Sequence, residues 1–381
     1  MSAPNIIYAS ATPENNNSDG FGEYSTIDFV INAEGRKLLK NSVRIEGEVL
    51  VETSAGANPP IAVDGSVNMR IEPKIGSHTF FESWQVSLPQ SKGVIQNAQE
   101  YPRYVNTIAT ASLSKNDYFC SDLIAELRGA NEENGKINIQ QISSPNANGT
   151  NDPVNPSFCI KPLICLNQMQ PAGGDYSFAQ NGLIKLSCNL ARNGSALYGE
   201  SVTGTCKYTL KNVVVRYITI PDDGSKQQPI MMNSYVSIKN SINSTFANIS
   251  SRVPSNAVNG VTINFLKQEN ESTITSNSNA LETLPQINEI NYMFSDSTSN
   301  VISYPISDRG DMIQKGLESL RSAGYNGCSA QSLKGNRGFL VGLPFSEYTD
   351  LSKNKFSFQV KTDVAVGTYL CYLYFHSLVV V

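Results

Sequence analysis

Two histidines are the side chains of this sequence whose unperturbed pKa lies near neutral pH, where catalysis most often uses histidine. His78 stands in Gly76-Ser-His-Thr79, which is typical of a turn, and His376 stands in an apolar stretch near the C-terminus. Neither position matches a catalytic motif. We therefore predict a structural or surface role for both.

Other residue types that could do chemistry also lack the necessary spacing. Cys159 and Cys165 are six residues apart, which is not a zinc-ligand spacing, and no Cys-x-x-Cys or His-x-x-x-His occurs. Gly199 to Gly204 resembles a phosphate loop, but Thr205-Cys206-Lys207 follows where the motif requires Lys and then Ser or Thr. Asp222-Asp223 lies in turn sequence. The sequence predicts no catalytic residue, no cofactor and no metal, and we expect no enzyme.

The cysteines are odd in number, widely spaced and mostly within apolar stretches. This pattern favours free, buried thiols over a disulfide framework. The seven are Cys120, Cys159, Cys165, Cys188, Cys206, Cys328 and Cys371.

Composition excludes several further classes of protein. In 381 residues, only 16% are charged and the net charge is -4, which disfavours general or sequence-specific nucleic-acid binding. The chain has 39 Asn and 45 Ser, residues that favour turns over helices. Met1 to Ser10 has no basic residue and no long apolar run, so we expect no secretory signal. Tyr369 to Val381 is too short to span a membrane as a helix.

The elements that would position any site are mostly strands. Val43 to Val51 alternates apolar and polar residues with period two, and Tyr24 to Ile31 does the same. We predict helices only at Gly93 to Leu113, where Pro102 must kink or split the helix, and at Asp311 to Ala323, where Gly324 stops it. Further strands are predicted at Ser66–Ile71, Thr79–Leu88, Ile137–Ile142, Phe158–Leu166, Leu183–Leu190 and Tyr208–Ile220. The fold class is therefore all-β with two helical insertions.

The two halves of the chain repeat one pattern. Each shows strand-like sequence, a helix and then three strands; the second trio is Phe339–Phe345, Asn354–Val360 and Thr368–Leu378. The turn-rich stretch Pro221 to Pro229 separates the halves. We predict a polar N-terminal arm at residues 1–23 and two eight-stranded sandwiches at 24–220 and 221–381.

This arrangement resembles the double jelly-roll major capsid proteins of icosahedral tailless viruses, the lineage of the tectivirus-like phages and the virophages. The likeness covers most of the chain from residue 24 onward. The segments that carry it are Tyr24–Val51, Val94–Leu113 with Glu100-Tyr101-Pro102, Gly260–Phe265, and Arg337–Pro344 through Lys355–Val360 to the C-terminus.

The resemblance implies two tandem jelly rolls and a structural role in the virion. It further implies homotrimers that form pseudo-hexagonal capsomers and tile a shell, assembled inside the host cell. Implied partners are neighbouring capsomers and minor capsid, vertex or membrane-associated viral proteins, with an internal membrane beneath the shell as a possibility. Residues 1–23 carry acidic but no basic residues, so we expect this arm to tether neighbouring capsomers or contact minor proteins instead of the genome.

Two alternatives stay open from sequence alone. One is a β-sandwich receptor- or glycan-binding module such as a fibre head, which aromatic loop tips would favour; Trp84, however, lies in a predicted strand and is expected in the core. The other is a jelly-roll enzyme acting on glycans, which needs a groove lined by two close carboxylates.

Overall fold

The computed structural model describes most of the chain and shows an all-β protein with few helices. It describes residues 5–15, 17–53, 61–62, 69–112, 130–131, 136–137, 144–145, 151–152, 157–199, 206–224, 228–284, 286–295, 301–325, 327–328, 340–363 and 367–381. The strands of the first half are β1 (Ile7–Ala11), β2 (Thr26–Ile31), β3 (Arg36–Leu38), β4 (Arg44–Thr53), β5 (Ile61–Ala62), β6 (Met69–Arg70), β7 (Phe81–Leu88), β8 (Gly93–Ala98), β9 (Ala130–Asn131), β10 (Lys136–Ile137), β11 (Ser144–Pro145), β12 (Asn151–Asp152), β13 (Ser157–Ile160), β14 (Tyr176–Ser177), β15 (Ile184–Leu190), β16 (Tyr198–Gly199) and β17 (Cys206–Pro221).

The second half is built from eight longer strands and one long helix. The strands are β18 (Met231–Ile242), β19 (Phe246–Ser251), β20 (Val258–Lys267), β21 (Ile287–Ser295), β22 (Val301–Ile306), β23 (Val341–Thr349), β24 (Lys355–Thr362) and β25 (Tyr369–Val380). The α-helices of the whole chain are α1 (Tyr101–Ser112), α2 (Phe178–Asn181), α3 (Asn193–Ala196) and α4 (Arg309–Ser322), and short 3-10 turns lie at Ser77–Phe80, Cys165–Asn167 and Gln268–Asn270. Within the described residues, no helix is long and apolar enough to cross a membrane.

The second half folds as a jelly roll, which we name roll 2. Its eight strands form two antiparallel sheets, in the orders β18-β25-β20-β23 and β19-β24-β21-β22. The alternation in β24, where Phe356, Phe358 and Val360 are buried, turns one face of the sheet into a core shared with β20 and β25. This order of eight strands is that of two interlocked Greek keys.

The first half repeats this order and is named roll 1. One sheet contains β13-β4-β17 with β1 on the other edge of β17, and the second has the order β2-β15-β7-β8. The short strand β3 lies end to end with β4 along β17, since Leu38 pairs with Thr219 and Arg44 with Arg216. In both rolls a hairpin (β7–β8 or β21–β22) leads into a helix, α1 or α4. The predicted fold class and duplication are confirmed.

The prediction of a helix from Gly93 to Leu113 is wrong for its first part. Residues 93–98 form β8, because pairing with β7 outweighs the helical spacing of Val94, Ile95 and Ala98. Glu100 then takes a φ of 53° and separates the strand from α1. Pro102 is the second residue of α1, where no backbone N–H donor is needed, so it neither kinks nor splits the helix.

The second predicted helix, Asp311 to Ala323, is confirmed with slightly earlier bounds. The side chain of Asp308 caps α4 by accepting the N–H of Asp311. Gly324, with a φ of 98°, ends the helix in the left-handed conformation that glycine adopts without strain.

The prediction of an N-terminal arm over residues 1–23 is wrong for the residues that the structure describes. Ile7–Ala11 forms β1 and pairs with β17, with Ile7 opposite Thr219 and Ala11 opposite Val215. Phe21 forms a further bridge with Leu210. A five-residue strand with little charge is easily missed in polar sequence, because its pairing partner is more than 200 residues away.

Candidate functional site

Both histidines lie in the interior and serve structural hydrogen bonds. His78 Nδ1 lies 2.7 Å from the Tyr101 hydroxyl. His376 Nε2 lies 2.6 Å from Thr262 Oγ1, and its Nδ1 lies 3.3 Å from the Tyr104 hydroxyl. Burial lowers the pKa of His376 to about 3, so the ring is neutral. These positions agree with the structural role predicted from sequence.

The other candidate groups are also engaged in structure. The six cysteines within the described residues are thiols outside any disulfide bond, five of them buried and Cys159 exposed; Cys120 lies outside the described residues. Burial raises the pKa of Cys165 to about 12, which makes it inert. Asp222 and Asp223 both face the Lys37 ammonium, at 3.6 and 2.5 Å. The described part of the chain holds no group of three metal-ligating side chains, and residues 200–205 of the loop after Gly199 lie outside it.

A buried contact joins the two rolls to each other. We call it the roll junction: α1 and residues 163–170 from roll 1, against β18, β25 and residues 271–284 from roll 2. Residues 101–111 of α1 are buried throughout. Tyr101 faces roll 1, with its ring 6.1 Å from Trp84, and Tyr104 faces roll 2, with ring distances of 3.9 Å to Tyr235 and 5.1 Å to Tyr374. The helix is therefore a wedge shared by both rolls, and Trp84 is a core residue, as predicted.

Polar side chains of α1 fix the loop at residues 278–280 of roll 2. The Arg103 guanidinium donates to the carbonyl oxygens of Ser278 and Ala280, the latter at 2.8 Å, and lies 4.4 Å above the Tyr372 ring. Asn106 Nδ2 donates to the Asn279 carbonyl at 2.6 Å. Because these groups are buried, each donor needs its acceptor, which makes the relative placement of the rolls specific.

Backbone pairing continues the junction along β18. The N–H of Gln170 donates to the Met231 carbonyl at 2.8 Å, and the N–H of Asn233 donates to the Gln168 carbonyl at 2.9 Å. Just after the last residue of β8, the carbonyl oxygen of Gln99 accepts a hydrogen bond from Ser237 Oγ of β18 at 3.0 Å. The edge of roll 1 formed by β8 and residues 163–170 thus covers the first strand of roll 2.

Solved structures share this whole-chain arrangement. A chain of the PBCV-1 virus capsid matches with a TM-score of 0.59 at 12% identity, over 100% of this chain and 95% of that one. The Faustovirus major capsid protein matches at 0.60 and 8% identity, over 100% and 91%, and the mavirus major capsid protein at 0.51 and 10%, over 97% and 86%. The chain has the double jelly-roll fold. No protein-family model and no curated protein matches its sequence.

A cleft of about 520 Å³ opens on this double jelly roll beside the junction. It is lined by Glu82, Glu100 and Glu271 among others, so it meets the first requirement of the glycan-active alternative. However, the Lys239 ammonium pairs with both Glu100, at 3.6 Å, and Glu271. Burial, with a smaller contribution from Glu100, raises the pKa of Glu82 to about 7. Two of the three carboxylates are thus held as an ion-pair network between the rolls, which ties β18 to the start of α1.

Two short segments of the double jelly roll expose apolar side chains in the part of the chain that the structure describes. On β22, Val301, Ile302 and Tyr304 are 54%, 57% and 48% exposed. At β1, Ile6, Ile7 and Tyr8 are 46%, 41% and 82% exposed. Both strands stand at the edge of their sheets in the described structure. An exposed, uncharged edge strand is a ready surface for association.

Sequence reasoning missed these surfaces and the junction. Neither β1 nor β22 was predicted as a strand, although the short apolar runs Ile6-Ile7-Tyr8 and Val301-Ile302 were visible. The junction was hidden because Arg103 and Asn106 are polar residues within a helix, which sequence alone places in solvent.

Proposed function

We propose that this chain is a major capsid protein: a structural, non-enzymatic subunit that assembles with copies of itself into the shell of a virion. The observation that carries the proposal is the pair of equivalent jelly rolls joined by α1, in an arrangement that matches 95% and 91% of the length of two viral capsid chains. The low charge suits a surface that packs against many copies of itself without repulsion.

The proposed oligomer is a homotrimer. Three chains with two rolls each place six similar lobes around an axis, which gives a pseudo-hexagonal tile for a lattice. We place the boundary between the rolls within residues 222–230, which join β17 to β18, and we assign β1 to roll 1 because it pairs with β17. Further proposed partners are minor capsid, vertex or membrane-associated viral proteins, with the chain assembled inside the host cell instead of being exported through a signal peptide.

Size in solution and particle imaging test this proposal. Light scattering of the purified chain should give three times its mass of 41.5 kDa, and electron microscopy should show flat arrays or shells. A chain that stays monomeric at all concentrations and binds a glycan array would instead support a receptor- or glycan-binding module. Hydrolysis of a glycan that is abolished by Glu82→Gln would support the enzyme.

A further inference from the structure

We propose that β22 of one copy packs against β1 and the adjoining part of β17 in a second copy of this chain. This contact repeats, between chains, the contact that β8 makes with β18 inside one chain. The inference rests on the proposed function, since it concerns the self-association of the subunit, and it names the two surfaces that meet.

The first argument is the equivalence of β8 and β22. Each is the six-residue second strand of a hairpin, stands last in its four-stranded sheet and precedes the helix of its roll. The fourth residue of β8, Gln96, is 3% exposed because β18 and residues 163–170 cover it. The fourth residue of β22, Tyr304, is 48% exposed. At this position the edge is therefore covered in roll 1 and bare in roll 2, whereas Val94 at the start of β8 is 55% exposed.

The second argument is the equivalence of the receiving faces. In roll 2, β18 pairs with β25, and residues 369–377 of β25 are buried on both faces because roll 1 covers the outer one. In roll 1, β1 takes the place of β18 and β17 that of β25, yet the outer face of β17 is partly open. Tyr8 stands opposite Ile218 on that face. The outer face of roll 1 thus lacks the cover that its counterpart has.

The chemistry of the two bare surfaces matches. Of the eleven large apolar side chains exposed in the described residues, six lie on β22 or at β1. Neither residues 301–306 nor residues 6–11 contain a charge. On the adjoining part of β17, Arg216 stands opposite Ser10 and is already paired with Glu46 at 3.0 Å, so the contact buries no unpaired charge. Tyrosines such as Tyr8 and Tyr304 are typical of interface centres, where an apolar ring is buried and the hydroxyl finds a partner.

The geometry also fixes the type of assembly. Because β22 and β1 are different surfaces, the contact is heterologous, and each copy offers one of each. Such contacts produce a closed ring if the rotation closes, and the two surfaces lie on different rolls of the chain. This is the arrangement needed for rolls 1 and 2 to alternate around a trimer.

Charge substitutions in the full-length chain test the contact. Tyr304→Glu and Ile302→Glu place a carboxylate on β22, and Tyr8→Glu places one on β1, at side chains that are 48%, 57% and 82% exposed. The matched control is Phe246→Glu on β19, which is 55% exposed on the opposite edge of the same sheet as β22. Circular dichroism and melting temperature verify that each variant is folded.

Sedimentation velocity then measures association. We expect each of the three variants to weaken trimer formation by about thirtyfold or more, as loss of a central interface aromatic does, while Phe246→Glu leaves it unchanged. If the wild-type chain forms trimers and the folded β22 and β1 variants form them equally well, the contact proposed here is wrong and the capsid proposal stands. If the wild-type chain forms no oligomer, the proposed function itself fails.

A cross-link gives an independent result. In a background with Cys120→Ser and Cys159→Ser, a Tyr8→Cys chain mixed with an Ile302→Cys or Tyr304→Cys chain should form a disulfide between differently tagged copies under mild oxidation. Tyr8→Cys mixed with Phe246→Cys should not. Equal cross-linking in both mixtures would overturn the proposal.

Discussion

Replacing His376 by glutamine should remove a pH dependence from the stability of the protein. Burial lowers the pKa of His376 from 6.5 to about 3, so the folded protein does not take up this proton in mild acid. The unfolded chain does take it up below pH 6.5. The unfolded state therefore binds more protons in this window, and the free energy of unfolding falls as the pH drops from 6.5 towards 3.

The size of the effect follows from the shift. Each pH unit within the window corresponds to about 1.4 kcal/mol, so this histidine removes about 2 kcal/mol of stability between neutral pH and about pH 5. Glutamine carries no proton equilibrium, and its amide can still reach Thr262. The loss should therefore be absent in His376→Gln.

Urea unfolding at about pH 7.5 and about pH 5 measures the effect. Circular dichroism follows the sheets of both rolls, and the fluorescence of Trp84, the single tryptophan, follows roll 1. The quantity of interest is the difference in the free energy of unfolding between wild type and His376→Gln at the higher pH, minus the same difference at the lower pH. All other titrating groups cancel from it.

The control is Tyr104→Phe, which removes the hydroxyl beside His376 Nδ1 without changing a titration near neutral pH. The free energy of unfolding of Tyr104→Phe should differ from that of wild type by the same amount at both pH values. If the free energy of unfolding of His376→Gln also differed from wild type by the same amount at both pH values, the histidine would be protonated in the folded protein. The tight burial of the roll junction would then be refuted.

Two further outcomes follow from the structure. The pKa of Glu82 is raised from 4.5 to about 7, so its contribution to stability is present at low pH and is lost as the pH rises through 7. Urea unfolding between pH 5 and 8 should show no such loss for Glu82→Gln. Gly342→Ala should destabilise roll 2 by about 1–3 kcal/mol, because a Cβ there would lie 2.5 Å from the Val261 carbonyl oxygen and 2.8 Å from Ser319 Oγ. The control Gly22→Ala, with 3.7 Å of room, should change the unfolding midpoint little, and equal midpoints for the two variants would contradict the packing of α4 on β20 and β23.

The repeated order of strands was predictable because it depends on local alternation. Ile184 to Leu190 buries every second residue, and Val43 to Val51 does so except at Gly47; sequence reports that period directly. The seam near Pro221 and the stop at Gly324 were also visible, since turn residues act locally.

The association surfaces were not predictable for a physical reason. Gly93 to Ala98 has helical spacing, and only its pairing with β7 decides that it is a strand. Tyr304 and Gln96 occupy equivalent places, and the sequence gives no sign that the glutamine is the buried one of the two. Whether a side chain is buried at the contact between the rolls depends on residues more than 100 positions away. The periodicity of apolar residues and the composition carry no information about such contacts.

The wedge formed by α1 has a mechanical consequence. Pulling the rolls apart would strip Arg103 and Asn106 of the carbonyl oxygens at residues 278–280, at about 1–3 kcal/mol for each orphaned group. These hydrogen bonds therefore tie the two rolls together, and one subunit moves as a single stiff plate. In a shell made of such plates, all curvature has to arise at the seams between subunits, so the radius of the particle is set by the angles at those seams.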